Sequence, residues 1–215
     1  MDPSAGRLGS LTIAVATAIG IVAFVLPFFL NPVWVAVEQD RAQAGAWTGF
    51  AQPELRFVTD AILADLIVGP PDFDVALGSD PVLNERERTH MRDVRAVFIG
   101  FFAIALVAVA LAVVIAARRR GSARGASWRA VRRGALALIL VLLIVGAVSF
   151  LAFDTLFEVF HRLFFAGGSY TFDPATDRLV QLFPFRFWQE SAIAVGILAI
   201  GLAGVVAILA SGRSR

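Results

Sequence analysis

Residues 134–153 read GALALILVLLIVGAVSFLAF, a run with no charged side chain and one hydroxyl, Ser149. That is about the 20 residues a helix needs to cross a hydrocarbon layer. A helix packed on a soluble core keeps one polar face toward water, and this run has none to offer. Leu8–Leu30, Val94–Ala117 and Ser191–Ala210 are apolar in the same way. In lipid each backbone must satisfy its own hydrogen bonds, so all four runs are expected to be helices. The composition agrees: 58% of the 215 residues are hydrophobic and 17% charged, with mean hydropathy +0.77. The fold class that follows is all-α: a polytopic membrane protein with a bundle of four transmembrane helices, in one membrane domain over residues 1–215.

Charge sets the expected orientation. The link 118–133 carries Arg118, Arg119, Arg120, Arg124, Arg129, Arg132 and Arg133 with no acid among them, and the chain ends in Arg213 and Arg215. By the positive-inside rule the link and both termini face the cytoplasm, which places 31–93 and 154–190 outside. Most carboxylates fall in those two outer segments. The pI near 10.3 does not point to nucleic acid, because the net charge is only +2 and arginines beside the spans are accounted for by topology and anionic lipid. The first span is expected to be retained: the "AQA" at Ala42–Ala44 lies too far beyond an apolar run that is itself too long for a cleaved leader.

The outer segments carry their own structure. "PELRFVTDAILADLIVGPP" from Pro53 sets Val58, Ile62 and Leu66 at helical spacing and then stops at Gly-Pro-Pro. The second span begins as one helix from about Asn84. The third continues past Phe153 through "DTLFEVFH", with Phe153, Phe157, Phe160, Phe164 and Phe165 read as an interfacial aromatic belt, and "AGGS" ends it. A short helix is then expected with Asp173 as N-cap, Pro174 at its first position and Asp177 in its first turn, stopped by Pro184.

With no cysteine, thiol nucleophiles, disulfides and thiolate metal sites are excluded together. Gly167–Thr171 only half matches a nucleophile elbow, lacking its last glycine. No metal-ligand spacing is present, and no cofactor motif is found. What remains are the only two histidines, His90 and His161, each on a helix extension at similar height above the membrane core. Glu87 or Asp93 stands at helical spacing to orient His90, and Asp154 and Glu158 share a face with His161. Imidazoles are the natural proton-transfer groups near neutral pH, although an interfacial histidine can also serve only to satisfy a backbone carbonyl.

Three motifs, "HMRDV" (His90, Met91, Asp93, Val94), "FHRLFF" (Phe160, His161, Phe164, Phe165) and "FDPATDRL" (Phe172, Asp173, Pro174, Asp177, Leu179), resemble the signatures of the lipoprotein intramolecular transacylase (Lit-like) family of four-span bacterial membrane proteins. The resemblance implies a cytoplasmic-membrane acyltransferase whose substrate is a lipoprotein with an S-diacylglyceryl cysteine. The sn-2 acyl chain would move to the cysteine's own α-amino group, giving the lyso form. It needs no cofactor, and its partners are the lipoprotein and membrane lipids. One of His90 and His161 would then be base and the other acid or oxyanion donor, with Asp93 and Asp154 orienting them and Glu87, Glu158, Asp173 and Asp177 supporting. A lipoprotein-binding or transport accessory module, and an enzyme of another lipid ester, stay open at this point.

Overall fold

The computed structural model describes residues 3–165 and 169–213. In chain order these form α1 (Pro3–Val25), α2 (Pro32–Arg41), α3 (Ala44–Thr48), α4 (Gln52–Ile67), a hairpin of β1 (Ala76–Leu77) and β2 (Asp80–Pro81), α5 (Glu85–Arg118), α6 (Ser122–Phe164), α7 (Arg178–Leu182) and α8 (Phe185–Arg213). Four helices, α1, α5, α6 and α8, are long and apolar enough to span a membrane. The turn "AGGS" falls largely on 166–168, outside the described residues, as do Gly167 and Gly168 of the half-matched elbow and the terminal Arg215.

The chain's contacts gather into two compact units. The first comprises Met1–Leu26, Gly100–Phe150 and Ala194–Arg215, the apolar stretches of the four long helices. It is turned outward: Leu106, Val107, Leu140, Ile197 and Ile208 are all exposed, a surface that only lipid can cover. Its inner contacts combine a few aliphatics, Ile13, Ile21, Val25 and Leu138, with many small residues. Ala199, Ala203, Ala207 and Ala210 line one face of α8 and are buried, and a Cβ on Gly134 of α6 would collide with the backbone of Ala14 in α1. Without a hydrophobic driving force between helices in lipid, such close backbone approach supplies the packing. At the arginine-rich end Arg119 donates to Gly6 O (3.1 Å), Ser10 Oγ (3.1 Å) and Ser127 Oγ (3.4 Å), tying the end of α5 to the starts of α1 and α6.

The second unit, Pro27–Ile99 and Leu151–Ile193, is built like a small soluble domain. Leu55, Val58, Ile62 and Leu66 of α4, Phe73, Val75, Val82, Leu83 and Met91 pack with Leu179, Leu182, Phe183 and Phe187 in one core. The helix expected from Pro53 is α4, and its buried face is the stripe of Val58, Ile62 and Leu66. Gln39 of α2 reaches through this core, donating to Thr59 Oγ1 (3.0 Å) and Leu182 O (2.9 Å), so α2, α4 and α7 share one buried amide. Arg95 of α5 caps the C-terminal end of α4, donating to the carbonyls of Asp65 and Gly69.

Two local expectations are corrected. α6 does not run straight from the third span into "DTLFEVFH": Ala152 has φ −153 and ψ 55, a break that redirects the helix just before Asp154. Nor does a helix start at Asp173. Residues 173–177 form a turn in which the amides of Thr176 and Asp177 donate to Asp173 O (3.1 and 2.8 Å), and α7 begins only at Arg178. Asp173 Oδ1 instead accepts from Ala175 N (2.9 Å), the local side-chain turn that competes with helix initiation.

Candidate active site

The site is assembled within the second unit, and it starts from the cap of α5. Asn84 Oδ1 accepts from Glu87 N (3.0 Å) while Glu87 Oε2 accepts from Asn84 N (2.8 Å), a reciprocal capping box. The other oxygen of Glu87 accepts from Leu179 N at 2.6 Å. Asp177 completes the strap: Oδ1 accepts from Asn84 Nδ2 (3.0 Å), and Oδ2 from Arg86 Nη2 (2.6 Å) and from Asp173 N (2.7 Å). Segment 172–179 is thereby held on the first turn of α5. Glu87, 1% exposed, is fully occupied by backbone amides and does not orient an imidazole.

The strap lays Phe172 on His90, with ring centroids 5.4 Å apart, and the Arg86 guanidinium covers the same phenyl ring at 5.0 Å. Phe165 approaches His90 edge-on at 4.8 Å. His90 is 6% exposed, and its Nδ1 is buried without a hydrogen-bond partner. A polar ring in such a pocket is a buried group whose capacity the protein itself leaves unused.

His161 comes from the redirected end of α6. Its ring lies 6.0 Å from that of His90, inclined by only 23°. Phe157 (4.2 Å) and Tyr170 (5.1 Å) flank it, and Phe165 (5.5 Å) touches both imidazoles. His161 Nδ1 is 2.7 Å from Phe157 O. A carbonyl only accepts, so Nδ1 carries the proton and Nε2 of the neutral ring keeps its lone pair.

The sequence-derived residues are therefore gathered unevenly. His90 and His161 are neighbours. Asp173, Asp177 and Glu87 form the strap. Glu158 bonds Arg162 Nε (2.8 Å) and Tyr170 Oη (3.3 Å), so it makes no hydrogen bond to His161 and acts on it by charge and through Tyr170. Asp93 and Asp154 are exposed, and neither makes a hydrogen bond or ion pair among the described residues. The Phe157 carbonyl takes the orienting place that the sequence reading gave to Asp154. Phe165, read as part of an interfacial belt, is 5% exposed and walls the histidine pair, whereas Phe160 and Phe164 do remain exposed. Phe165, Tyr170 and Phe172 were not singled out as site residues. Their nearness to His161 in sequence was the available signal. Among the described residues no three His, Asp or Glu side chains converge as metal ligands would.

Comparison with known proteins places this arrangement. The family model described as lipoprotein intramolecular transacylase Lit matches residues 10–188. The fold is similar to the integral membrane Lit of Bacillus cereus, with TM-score 0.80, 19% identity, and 96% of this chain and 94% of that chain covered. Two forms of the same protein carrying a histidine substitution superpose with TM-score 0.79 at 18% identity. An uncharacterized protein of Aquifex aeolicus is 27% identical over 115 residues, 54% of this chain; the chain spans about half the length of that curated relative. A match to the family model over most of the length, on a fold of four spanning helices with a paired-histidine site, settles membership: the chain belongs to the lipoprotein intramolecular transacylase Lit family.

Proposed function

We propose that this protein moves the sn-2 acyl chain of a lipoprotein's S-diacylglyceryl cysteine to that cysteine's α-amino group. The product is the N-acyl, S-monoacylglyceryl lyso form. The observation that carries the reading is the imidazole pair, 6.0 Å apart, close enough for both rings to serve one reacting group through hydrogen bonds of about 2.8 Å.

Aminolysis of an ester makes three demands. The amine must attack as the neutral base, the proton it then sheds must be taken up, and the departing glyceryl oxygen must receive one. His161 has the bare Nε2 for the uptake, because its Nδ1–H is held by the Phe157 carbonyl. As the N–C bond forms, Nε2 takes the amine proton. As the C–O bond breaks, the same proton passes to the sn-2 oxygen, and His161 is neutral again. His90, a neutral imidazole in its aromatic pocket, donates its N–H to the oxyanion of the tetrahedral intermediate. Asp93, exposed one turn along α5 from His90, supplies negative potential to it without contact. Donor and acceptor belong to one molecule, so no acyl-enzyme forms and no nucleophile is required of the chain. Holding amine and ester together supplies much of the acceleration.

The orientation in this reading puts the termini and the 118–133 link in the cytoplasm and the histidines near the outer leaflet of a bacterial cytoplasmic membrane, supported by the arginine distribution. Expression in a bacterium whose lipoproteins keep a diacylglyceryl cysteine tests the function. Mass spectrometry of N-terminal lipopeptides should show unchanged total mass with one acyl chain now on nitrogen. A gain of one acyl mass would mean transfer from a phospholipid, a loss would mean hydrolysis, and no change would favour a binding module.

A further inference from the structure

A cavity of about 650 Å³ opens between α1 and α6 in the first unit, lined by Gly6, Ser10, Ala14 and Ala18 on one helix and Ala126, Ala130, Gly134 and Ala137 on the other. The two sequences advance in step, because Arg119 fixes Gly6 and Ser10 at the level of Ser127 and the backbone contact fixes Ala14 at the level of Gly134. Two arginines, Arg7 and Arg133, line the same cavity. Both are exposed, and neither has a hydrogen bond or ion pair among the described residues.

The helix registers make Arg133 unusual. Its neighbour Gly134 is level with Ala14, seven residues beyond Arg7, or about 10 Å farther along the bundle at 1.5 Å per residue. At that level α1 is already apolar, from Leu8 onward. Arg133, the last residue of the charged link, thus stands beside apolar residues of α1, and a guanidinium there reaches back toward the interface or meets an anion drawn into the groove. The walls beyond it are small and apolar, shaped for hydrocarbon. A basic pocket between spanning helices that continues into an apolar groove is complementary to one ligand chemistry, a phosphate diester carrying acyl chains.

We propose that this groove binds a single anionic phospholipid of the leaflet facing the arginine-rich end. Arg7 and Arg133 hold the phosphate, and an acyl chain lies along Ala14, Ala18 and Ala137. The site is separate from the lipoprotein substrate and does not depend on the catalytic reading.

Native mass spectrometry of the full chain released from vesicles of equimolar phosphatidylglycerol and phosphatidylcholine is the test. The wild type should retain one phosphatidylglycerol in preference to phosphatidylcholine. Arg7→Gln with Arg133→Gln should lower that retention by at least about fivefold, roughly the attraction of one arginine at a lipid surface. Arg120→Gln with Arg132→Gln removes the same charge from the same end without touching the groove and should leave retention within about twofold. Ala137→Leu keeps every arginine but fills the apolar part, and should also lower retention, so it carries the test if the double variant does not fold. Equal loss in both arginine pairs would overturn the proposal in favour of diffuse charge attraction, and equal retention of both lipids would overturn it outright. Displacement by millimolar inorganic phosphate would show that a free anion suffices, which also contradicts the lipid assignment.

Discussion

The two units solve opposite burial problems. The first buries mainly alanine and glycine with a few aliphatics and exposes most of its leucine and valine; the second buries phenylalanine, leucine and a set of polar groups, Gln39, Thr59, Glu87, His90 and Asp177, each placed within a tertiary network or pocket. The difference lies in what each must exclude. Lipid covers the first unit, so its stability rests on close backbone contact and needs little specific chemistry. The second has to bury polar side chains, His90 among them, and it does so by strapping a loop over a helix start with carboxylates.

That contrast is broken most severely at the histidines. His90→Ala and His161→Ala should each reduce turnover by about 10²- to 10⁴-fold, the usual worth of a positioned acid or base. Yield in the membrane should stay near that of the wild type, because the first unit is untouched. Arg162→Ala, at a guanidinium whose side chain is 72% exposed, should leave most activity and serves as the control. Near-normal turnover in either histidine variant would sink the two-imidazole scheme.

A smaller effect separates the strap from the pair it supports. Glu87→Ala leaves the amides of Asn84 and Leu179 without their acceptor, a loss of about 2–6 kcal/mol at about 1–3 per group. Thermal unfolding in detergent should show a lower midpoint for the second unit, with Glu87→Gln recovering part of it. An unchanged midpoint would mean that the strap is held by Asp177 alone.

The smallest expected effect concerns Glu38, a buried carboxyl of α2 beside Glu190, Arg41 and Arg186. Desolvation, then the neighbouring Glu190, raises its pKa above the ordinary carboxylate value. A raised acid binds its proton more tightly when folded, so its contribution to stability improves below that raised pKa and is lost as pH rises through it. The midpoint difference between wild type and Glu38→Gln should therefore move in favour of the wild type as pH falls from neutral toward the carboxylate range. A difference that is flat with pH would show that Arg41 and Arg186 fully compensate the burial.

The same contrast explains what was legible in the sequence. Leu8–Leu30 and Gly134–Phe153 announce their helices by composition, because lipid demands nothing more than apolar length. The Asn84-x-x-Glu87 cap was equally local, yet the reach of Glu87 to Leu179 N spans 92 positions and leaves no periodic trace. The break at Ala152 occurs without proline or glycine at that residue, so helical periodicity ran straight through it. Asp173 and Asp177 looked like a helix start because the first is a good N-cap and the second an acid placed for the first turn. Tertiary bonds to Arg86 and Asn84 claimed Asp177 instead, and the turn claimed Asp173. The pairing of His90 with His161 was readable as shared height on two helices; the aromatic walls that enclose them required the fold.

A crossover measurement tests the central claim most directly. The purified protein would be given equal amounts of two diacylated lipopeptides with different peptide sequences, one with deuterated acyl chains and one without. If the histidine pair shuttles a single proton within one substrate, every N-acyl chain will carry the label of its own peptide, and the His161→Ala protein will form none. Mixed products, with deuterated chains on the unlabelled peptide, would contradict the account and point to transfer between molecules.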